Sequence, residues 1–422
     1  SMLLSGSRPA HAARPSPVRL ALTLALLPSL GAAGAHGPED EFYAHYTRID
    51  SGEAFERLSR TGDAPDLVVR IGGSGGQLVF CRATSFLPYW ETDEGTWPLE
   101  ELTPREGDGT VRRPDRVNTF SHVHLVEQTP ERVLVLWRYL PRFGGGNPHT
   151  GVSPNAFAEE LFEISPGGEV ERTLRLGTER YDDWVDPGNR TVQGLQLAPD
   201  GVRELRRSPA RRAPPPERPA APPPPAEETP APVGAWRFDE GGGDATVEDV
   251  SGHACAIEGH RSLWREGVSG TALLFDGYTS LVTLPGERSP SPQTGVTLSG
   301  WVALGAYPWN WAPIVQKGEE AAWTLGVDGH GHPGVKVEAG GRWESLVAQA
   351  RLERYRWYHL AGSYDGSSGE LSIFIDGRLA GRRVLGAAPL GSTRDAIRIG
   401  KGSRPLRPVD PVRENTFETE YG

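Results

Sequence analysis

The chain has 422 residues, 53 of them Gly and 38 Pro, with a formal net charge of −11 and two cysteines. That length admits two or three domains. An acidic balance without a basic stripe argues against a nucleic-acid partner, and two cysteines provide neither a disulfide framework nor a Cys-based metal site.

Near the start, "ARPSPVRLALTLALLPSLGAAGAHG" places Arg14 and Arg19 before an apolar stretch, Leu20 to Leu30, and ends in Ala33-Gly34-Ala35. This is the layout of a secretory signal peptide over residues 1–35, with the mature chain beginning near His36. The apolar stretch is shorter than the roughly 20 residues a spanning helix needs. The expectation is an exported protein, secreted or held at the cell surface or periplasm, with no membrane span after cleavage.

Residues 38–205 read as a β-sandwich module. "DLVVRI", "GQLVFCRA", "SHVHLVEQ", "RVLVLWRYL", "EELFEIS" and "EVERTLRLG" are short apolar runs with no helical period, and "TPER" and Pro166-Gly167-Gly168 turn two hairpins. Gly72 to Gly76, "GGSGG", fits the spacing of a nucleophile elbow, but "QLVF" follows it, a second strand where an elbow needs a helix; Ser74 is read as a hairpin tip. Cys81 and Cys255 fall in different modules and are read as unpaired thiols.

Residues 206–233, "RRSPARRAPPPERPAAPPPPAEETPAPV", are packed with proline and lack apolar periodicity, so an extended spacer is expected. Residues 234–422 return to strands. In "WYHLAGSYDGSSGELSIFIDGRLAG", Leu371, Ile373 and Ile375 alternate with Ser372, Phe374 and Asp376, and Asp376-Gly377 suits a type I′ turn. The stretch predicts a three-stranded meander that serves as scaffold and carries no chemistry. The fold class expected for the whole is all-β: a sandwich, a Pro-rich linker and a jelly roll.

The C-terminal module resembles the laminin G-like, concanavalin A-like jelly rolls of secreted bacterial proteins. The resemblance begins at "AWRFDEGGGDATVEDVSGH" and continues through Trp264, "GVSGTALLFDGYTSLVTL", "VTLSGWVAL" and the meander. It implies a domain used for binding or architecture, with a glycan or an extracellular surface as partner. It also implies a calcium ion near the start of the domain, held by Asp239 and Asp249 with carbonyls around Gly252 and His253; such hard oxygen donors suit Ca²⁺. The sequence departs from the family at its end, where "ENTFETEYG" stands in place of a final strand. The N-terminal module is more loosely similar to β-sandwich segments of large secreted bacterial proteins.

Three readings of function stay open: glycan or surface binding by the jelly roll, a polysaccharide-active enzyme centred in the sandwich, and a structural or adhesive surface protein. For the enzyme, the candidates are Tyr89, Glu91, His122 and Arg138. His122 and His124 are two apart and so share a strand face. For binding, Trp90 and Trp97 lie beside polar turns, and Trp309 and Trp311 sit in the loop "AYPWNWAP"; flat indoles stack on sugar faces, while core burial is their alternative fate. The jelly roll lacks the Glu-x-Asp-x-x-Glu run of concanavalin A-like retaining glycosidases.

Overall fold

A computed structural model describes residues 2–5, 42–53, 55, 64–103, 121–139, 158–176, 190–209, 232–241, 246–248, 254–258, 263–275, 277, 280–319, 321–402 and 412–413. Strand β1 (Met2–Ser5) pairs into the C-terminal module, and the N-terminal module is two stacked sheets. One holds β2 (Phe42–Thr47), β3 (Asp66–Ile71), β4 (Gly76–Phe80), β5 (Tyr89–Thr92) and β6 (Gly95–Pro98). The other holds β7 (His122–Gln128), β8 (Val133–Tyr139), β9 (Ala158–Ile164), β10 (Glu169–Leu176), β11 (Arg190–Ala198) and β12 (Gly201–Pro209). Neighbours along each run are antiparallel, so each sheet is a meander of hairpins.

Alternation explains why the two sheets close on each other. Val69, Leu78, Phe80 and Trp90 face Val123, Val135, Trp137 and Phe162 in one apolar core, and Phe80 meets Phe162 edge to face at 5.1 Å. Trp90 is fully buried there, its Nε1 donating to the Ala198 carbonyl. The same core buries Glu160 and Arg172, paired at 2.5 Å, with the Tyr139 hydroxyl donating to Glu160 at 2.6 Å. A second buried pair, Asp66–Arg82, tethers Ile49, whose N–H donates to Asp66 at 2.8 Å.

The C-terminal module contains β13 (Gly234–Trp236), β14 (Thr246–Glu248), β15 (Ala254–Glu258), β16 (Leu263–Glu266), β17 (Thr271–Leu274), β18 (Leu281–Leu284), β19 (Gly295–Ala303), β20 (Ala312–Lys317), β21 (Trp323–Val327), β22 (Pro333–Ala339), β23 (Arg342–Val347), β24 (Trp357–Asp365), β25 (Glu370–Ile375), β26 (Arg378–Val384) and β27 (Ile397–Ile399). A six-stranded sheet runs β13-β1-β19-β24-β25-β26, and an eight-stranded sheet runs β14-β15-β18-β27-β20-β21-β22-β23. Trp236, Leu298, Leu360, Leu371 and Ile373 of the first pack on Val315, Trp323, Leu325, Val335 and Ile399 of the second. The sheets touch at Gly362, where a Cβ would come within 2.8 Å of the Val335 side chain. The three strands of the meander pair in order, as their pattern predicts, and Asp376 and Gly377 have φ of 51° and 74°, the left-handed pair of a type I′ turn.

Two boundaries differ from the sequence reading. Strand β12 continues through Arg206 to Pro209, four residues into the expected spacer. Its arginines are held: Arg206 pairs with Glu171, and Arg207 with Glu100 and Glu204 at 2.6 Å each. Composition registers the prolines but not these ion-pair partners. The second difference is at the edge of the jelly roll. Among the described residues after β27, only β28 (Val412–Arg413) is a strand, and it runs parallel to β2 of the sandwich. The place between β13 and β19 is taken by β1. Residues 6–35 of the expected leader and residues 210–231 of the spacer lie outside the described residues. Among the described residues, no helix is long and apolar enough to cross a membrane.

Candidate functional site

Register places six polar residues in one line across the eight-stranded sheet. Thr283 pairs with Arg398, Arg398 with Gln316, Gln316 with Thr324, Thr324 with Lys336, and Lys336 with Ser345. The adjacent line, Val282, Ile399, Val315, Leu325, Val335 and Leu346, belongs to or packs on the core. Side chains alternate across a sheet, so the polar line lies on the face turned away from the core. All but Thr324 are at least partly exposed, and Thr324 is covered by Trp311.

Trp311 meets this face along one edge of its indole. Its Nε1 donates to Thr324 Oγ1 at 3.3 Å. Cβ atoms built on Gly326 and Gly334 would come within 2.8 Å and 3.2 Å of the same edge of the ring; larger residues at either place would push the indole off the sheet. Lys336 Nζ lies 3.9 Å from the ring centroid, a cation on an aromatic face. Thr283 Oγ1, at the far end of the line, is buried and has no hydrogen-bond partner among the described residues. The face thus offers an aromatic wall, two cations and several neutral donors and acceptors.

The other sequence candidates go elsewhere. Trp90 is core, and Trp97, its cross-strand neighbour, flanks the same core. Tyr89 and Glu91 alternate with Trp90 and therefore face outward from the first sheet of the sandwich, where Tyr89 packs with Val68, Val79 and Cys81 and Glu91 accepts from Gln77 at 2.7 Å. His122 and Arg138 alternate with core residues Val123 and Trp137 and face outward from the second sheet. The four enzyme candidates thus sit on opposite outer faces, separated by the whole core, and form no common cleft.

His122 and His124 share a strand face, as their spacing predicts, and that face is covered. They are buried in a seam between the sandwich and one end of the jelly roll. Trp309 stacks on His122 with centroids 5.0 Å apart and is 4 % exposed, so it too is sealed in. His124 Nε2 contacts the Gly329 carbonyl, and His330 Nδ1 lies 3.0 Å from the Val126 carbonyl. Tyr307 completes a small apolar cluster with Val126, Leu134 and Leu136. Glu159 takes Arg138 at 3.2 Å from its own sheet, and Arg354 at 3.0 Å and the Tyr355 hydroxyl at 2.6 Å from the jelly roll. Burial, with smaller contributions from Arg138 and His124, pushes His122 down to about 3, and burial pushes His124 down to about 4 against the opposing Gly329 carbonyl. The signal that could have located this seam was weak: Trp309 and Trp311 differ by two residues, yet one is sealed and the other reaches the sheet face.

Of the calcium candidates, Asp239 is exposed and accepts the Thr271 N–H at 3.2 Å. Asp249, Gly252 and His253 lie outside the described residues. Among the described residues, no group of three or more His, Cys, Asp or Glu side chains converges as a metal site would require. A cavity of about 570 Å³ on the sandwich, lined by Glu127, Glu131, Glu163, Glu169 and Glu171, carries Arg132 as its cation.

The fold and the polar sheet face define an all-β protein with a concanavalin A-like jelly roll in its C-terminal half. Residues 276–411 match the family model described as the concanavalin A-like lectin/glucanases superfamily, which makes this region a domain of lectin/glucanase type. No curated protein matches the chain. Among solved structures, it is similar to the binding domain of Paraclostridial mosquitocidal protein 1 (10% identity, 37% of this chain and 47% of that one, TM-score 0.30). It is also similar to botulinum neurotoxin type C, whose cell entry is dependent upon interaction with two ganglioside molecules (12% identity, 39% and 42%, TM-score 0.29). A third is domain 4 of the extracellular arabinanase AbnA from Geobacillus stearothermophilus, in complex with arabinotriose (19% identity, 36% and 86%, TM-score 0.26). The chain spans less than half the length of the first two.

Proposed function

We propose that this is an exported glycan-binding protein, and that the jelly roll holds a sugar chain along the line Thr283–Arg398–Gln316–Thr324–Lys336–Ser345. The observation that carries this reading is the polar line itself, with the Trp311 indole standing on it. Sugars combine an apolar C–H face with a rim of hydroxyls. An indole matches the first, and Arg, Lys and Gln side chains match the second. A rigid sheet fixes the spacing of those groups, which lowers the ordering cost of binding. The lectin/glucanase-type family match agrees with it, as does the leader-like sequence. The sandwich acts as a docked support, since its candidate catalytic side chains do not converge.

The test is a polysaccharide panel titrated against the full chain by calorimetry. A ligand that binds the wild type should bind Trp311→Ala at least about tenfold more weakly, the scale of one lost aromatic platform. Unchanged affinity in Trp311→Ala and Gln316→Ala together would remove this face from consideration.

A further inference from the structure

We infer that a row of arginines in the seam is a binding site for an oxyanion, a sulfate or phosphate group, and that this anion bridges the sandwich to the jelly roll. Register lays the row across five strands of the sandwich. His122 pairs with Arg138, Arg138 with Glu159, Glu159 with Arg175, and Arg175 with Arg190. Arg175 and Arg190 therefore share the outward face of Glu159, while Leu174, next along β10, belongs to the core. The jelly roll brings Arg354 and Tyr355 to the same row.

Charge in the row does not balance. Its one carboxylate, Glu159, is already engaged: Oε1 takes Arg138 at 3.2 Å, and Oε2 takes Arg354 at 3.0 Å and the Tyr355 hydroxyl at 2.6 Å. Arg175 lies directly across the ladder from Glu159 and is 8 % exposed. Its guanidinium rests on the Tyr355 ring, with Cζ 3.5 Å from the centroid. Its Nη1 is buried and has no hydrogen-bond partner among the described residues. Arg190 sits beside it. Burial first, and then the charges of Arg175 and Arg354, push the proton affinity of Arg190 down, with Tyr355 opposing. Guanidinium groups from both modules thus repel one another in one neighbourhood.

Two costs meet here. A buried N–H without an acceptor carries its full desolvation penalty, and like charges held together disfavour the charged state. An oxyanion relieves both at once, because the planar fork of a guanidinium fits two oxygens of one anion. A sulfate or phosphate group carries up to about two negative charges and offsets more of the excess than a carboxylate could. Tyr355 covers a face of Arg175, so the anion meets its in-plane N–H edge. Arg190 is partly exposed and forms the mouth of the site. Arg175 and Arg190 belong to the sandwich and Arg354 to the jelly roll, so an anion among them ties the modules together. None of this rests on the Trp311 face.

The test titrates the full chain with sodium sulfate and with sodium phosphate, by calorimetry and by hydrogen exchange. Sodium chloride at equal ionic strength is the control, since exposed charges also respond to plain screening. A sulfated monosaccharide, in a further arm, separates a free ion from the same group carried on a sugar. The expected result is saturable binding of sulfate or phosphate, with exchange over residues 190–192 and 354–358 slowed severalfold by mass action and chloride without effect. Arg190→Gln, at the partly exposed position, should weaken binding at least about tenfold. Arg175→Lys keeps the charge but loses the fork and should weaken it as well; if that variant does not fold, Arg190→Gln decides alone. Binding of the sulfated sugar as tight as that of sulfate would make the ligand a sugar-borne group, and binding of the inorganic ions alone would make it a free ion. The inference is overturned if sulfate and phosphate act only as chloride does, for then the chain balances the row itself. It is overturned equally if Arg190→Gln binds them as the wild type does.

Discussion

The sandwich and the jelly roll are both pairs of facing antiparallel sheets, but they bury different chemistry. Between its sheets the sandwich hides Glu160, Arg172 and Gln193, with Asp66 and Arg82 buried beside them. The jelly-roll core is made of aliphatic and aromatic side chains throughout. Its buried cation, Lys317, sends Nζ to the carbonyls of Ser289 and Pro290 at 3.3 and 3.0 Å. Apolar packing tolerates small adjustments because it is non-directional. A buried ion pair has one good geometry, and removing one partner leaves the other charge stranded. The sandwich therefore adds a few directional polar contacts to an apolar core of its own, while the jelly roll relies on apolar packing between its sheets.

The sharpest break of this contrast is Glu160→Ala. It strands the Arg172 guanidinium and the Tyr139 hydroxyl, and should cost the sandwich about 3–5 kcal/mol. In a chemical denaturation followed by hydrogen exchange, the β7–β12 sheet should open early while β19–β25 keeps its protection. Equal loss in both regions would show that they unfold as one unit.

Acid should part the two regions before either unfolds. His122 and His124 are held neutral in the seam, with proton affinities pushed down to about 3 and about 4. The sign follows from the opened state, in which each titrates near its ordinary 6.5. The seam's stability is whole above that value and falls as pH drops from 6.5 towards 4. At pH 5 each histidine should favour opening by about 2 kcal/mol. Small-angle scattering should show a more extended particle at pH 4.5 than at pH 7.5. A His124→Phe variant should shift that change to lower pH, and an unchanged profile at pH 4.5 would count against a histidine-held seam.

A smaller effect is expected within the jelly roll. Gly362→Ala puts a methyl against Val335 and Leu325 where the two sheets touch, which should cost about 1–3 kcal/mol by overpacking. Thermal melting of the full chain should register it in the jelly-roll transition and leave the sandwich transition in place. The companion change Gly381→Ala, whose Cβ would meet Ile373 Cγ2 and Leu346 Cδ1 at the longer distances of 3.1 and 3.5 Å, should cost less.

Much of the fold was legible from local pattern. Period-two alternation found the strands of both modules, Asp376-Gly377 gave its turn type, and a strand after Gly76 showed that Ser74 sits at a hairpin and not at an elbow. What stayed hidden depends on residues far apart in the chain. Trp90 lies in a polar segment, yet its hydrogen-bond partner Ala198 arrives from the facing sheet, 108 residues later. His122 and His124 read as a hairpin face because Trp309 and Gly329, which bury them, come about two hundred residues later, as the 205-residue separation of His124 and Gly329 shows. Arg206 and Arg207 read as spacer because composition carries no register. For the candidate site, Trp311 was visible in the sequence, but the line from Thr283 to Ser345 exists only once six strands are laid side by side.

The central claim is that glycan recognition belongs to the jelly-roll face around Trp311 and not to the aromatic residues of the sandwich. The most direct measurement compares, by calorimetry with one polysaccharide that the wild type binds, the full-length variants Trp311→Ala and Trp97→Ala. Affinity at least about tenfold weaker in Trp311→Ala, with Trp97→Ala like the wild type, is the predicted result. Loss of binding in Trp97→Ala with Trp311→Ala unaffected would move the site to the sandwich and contradict the account.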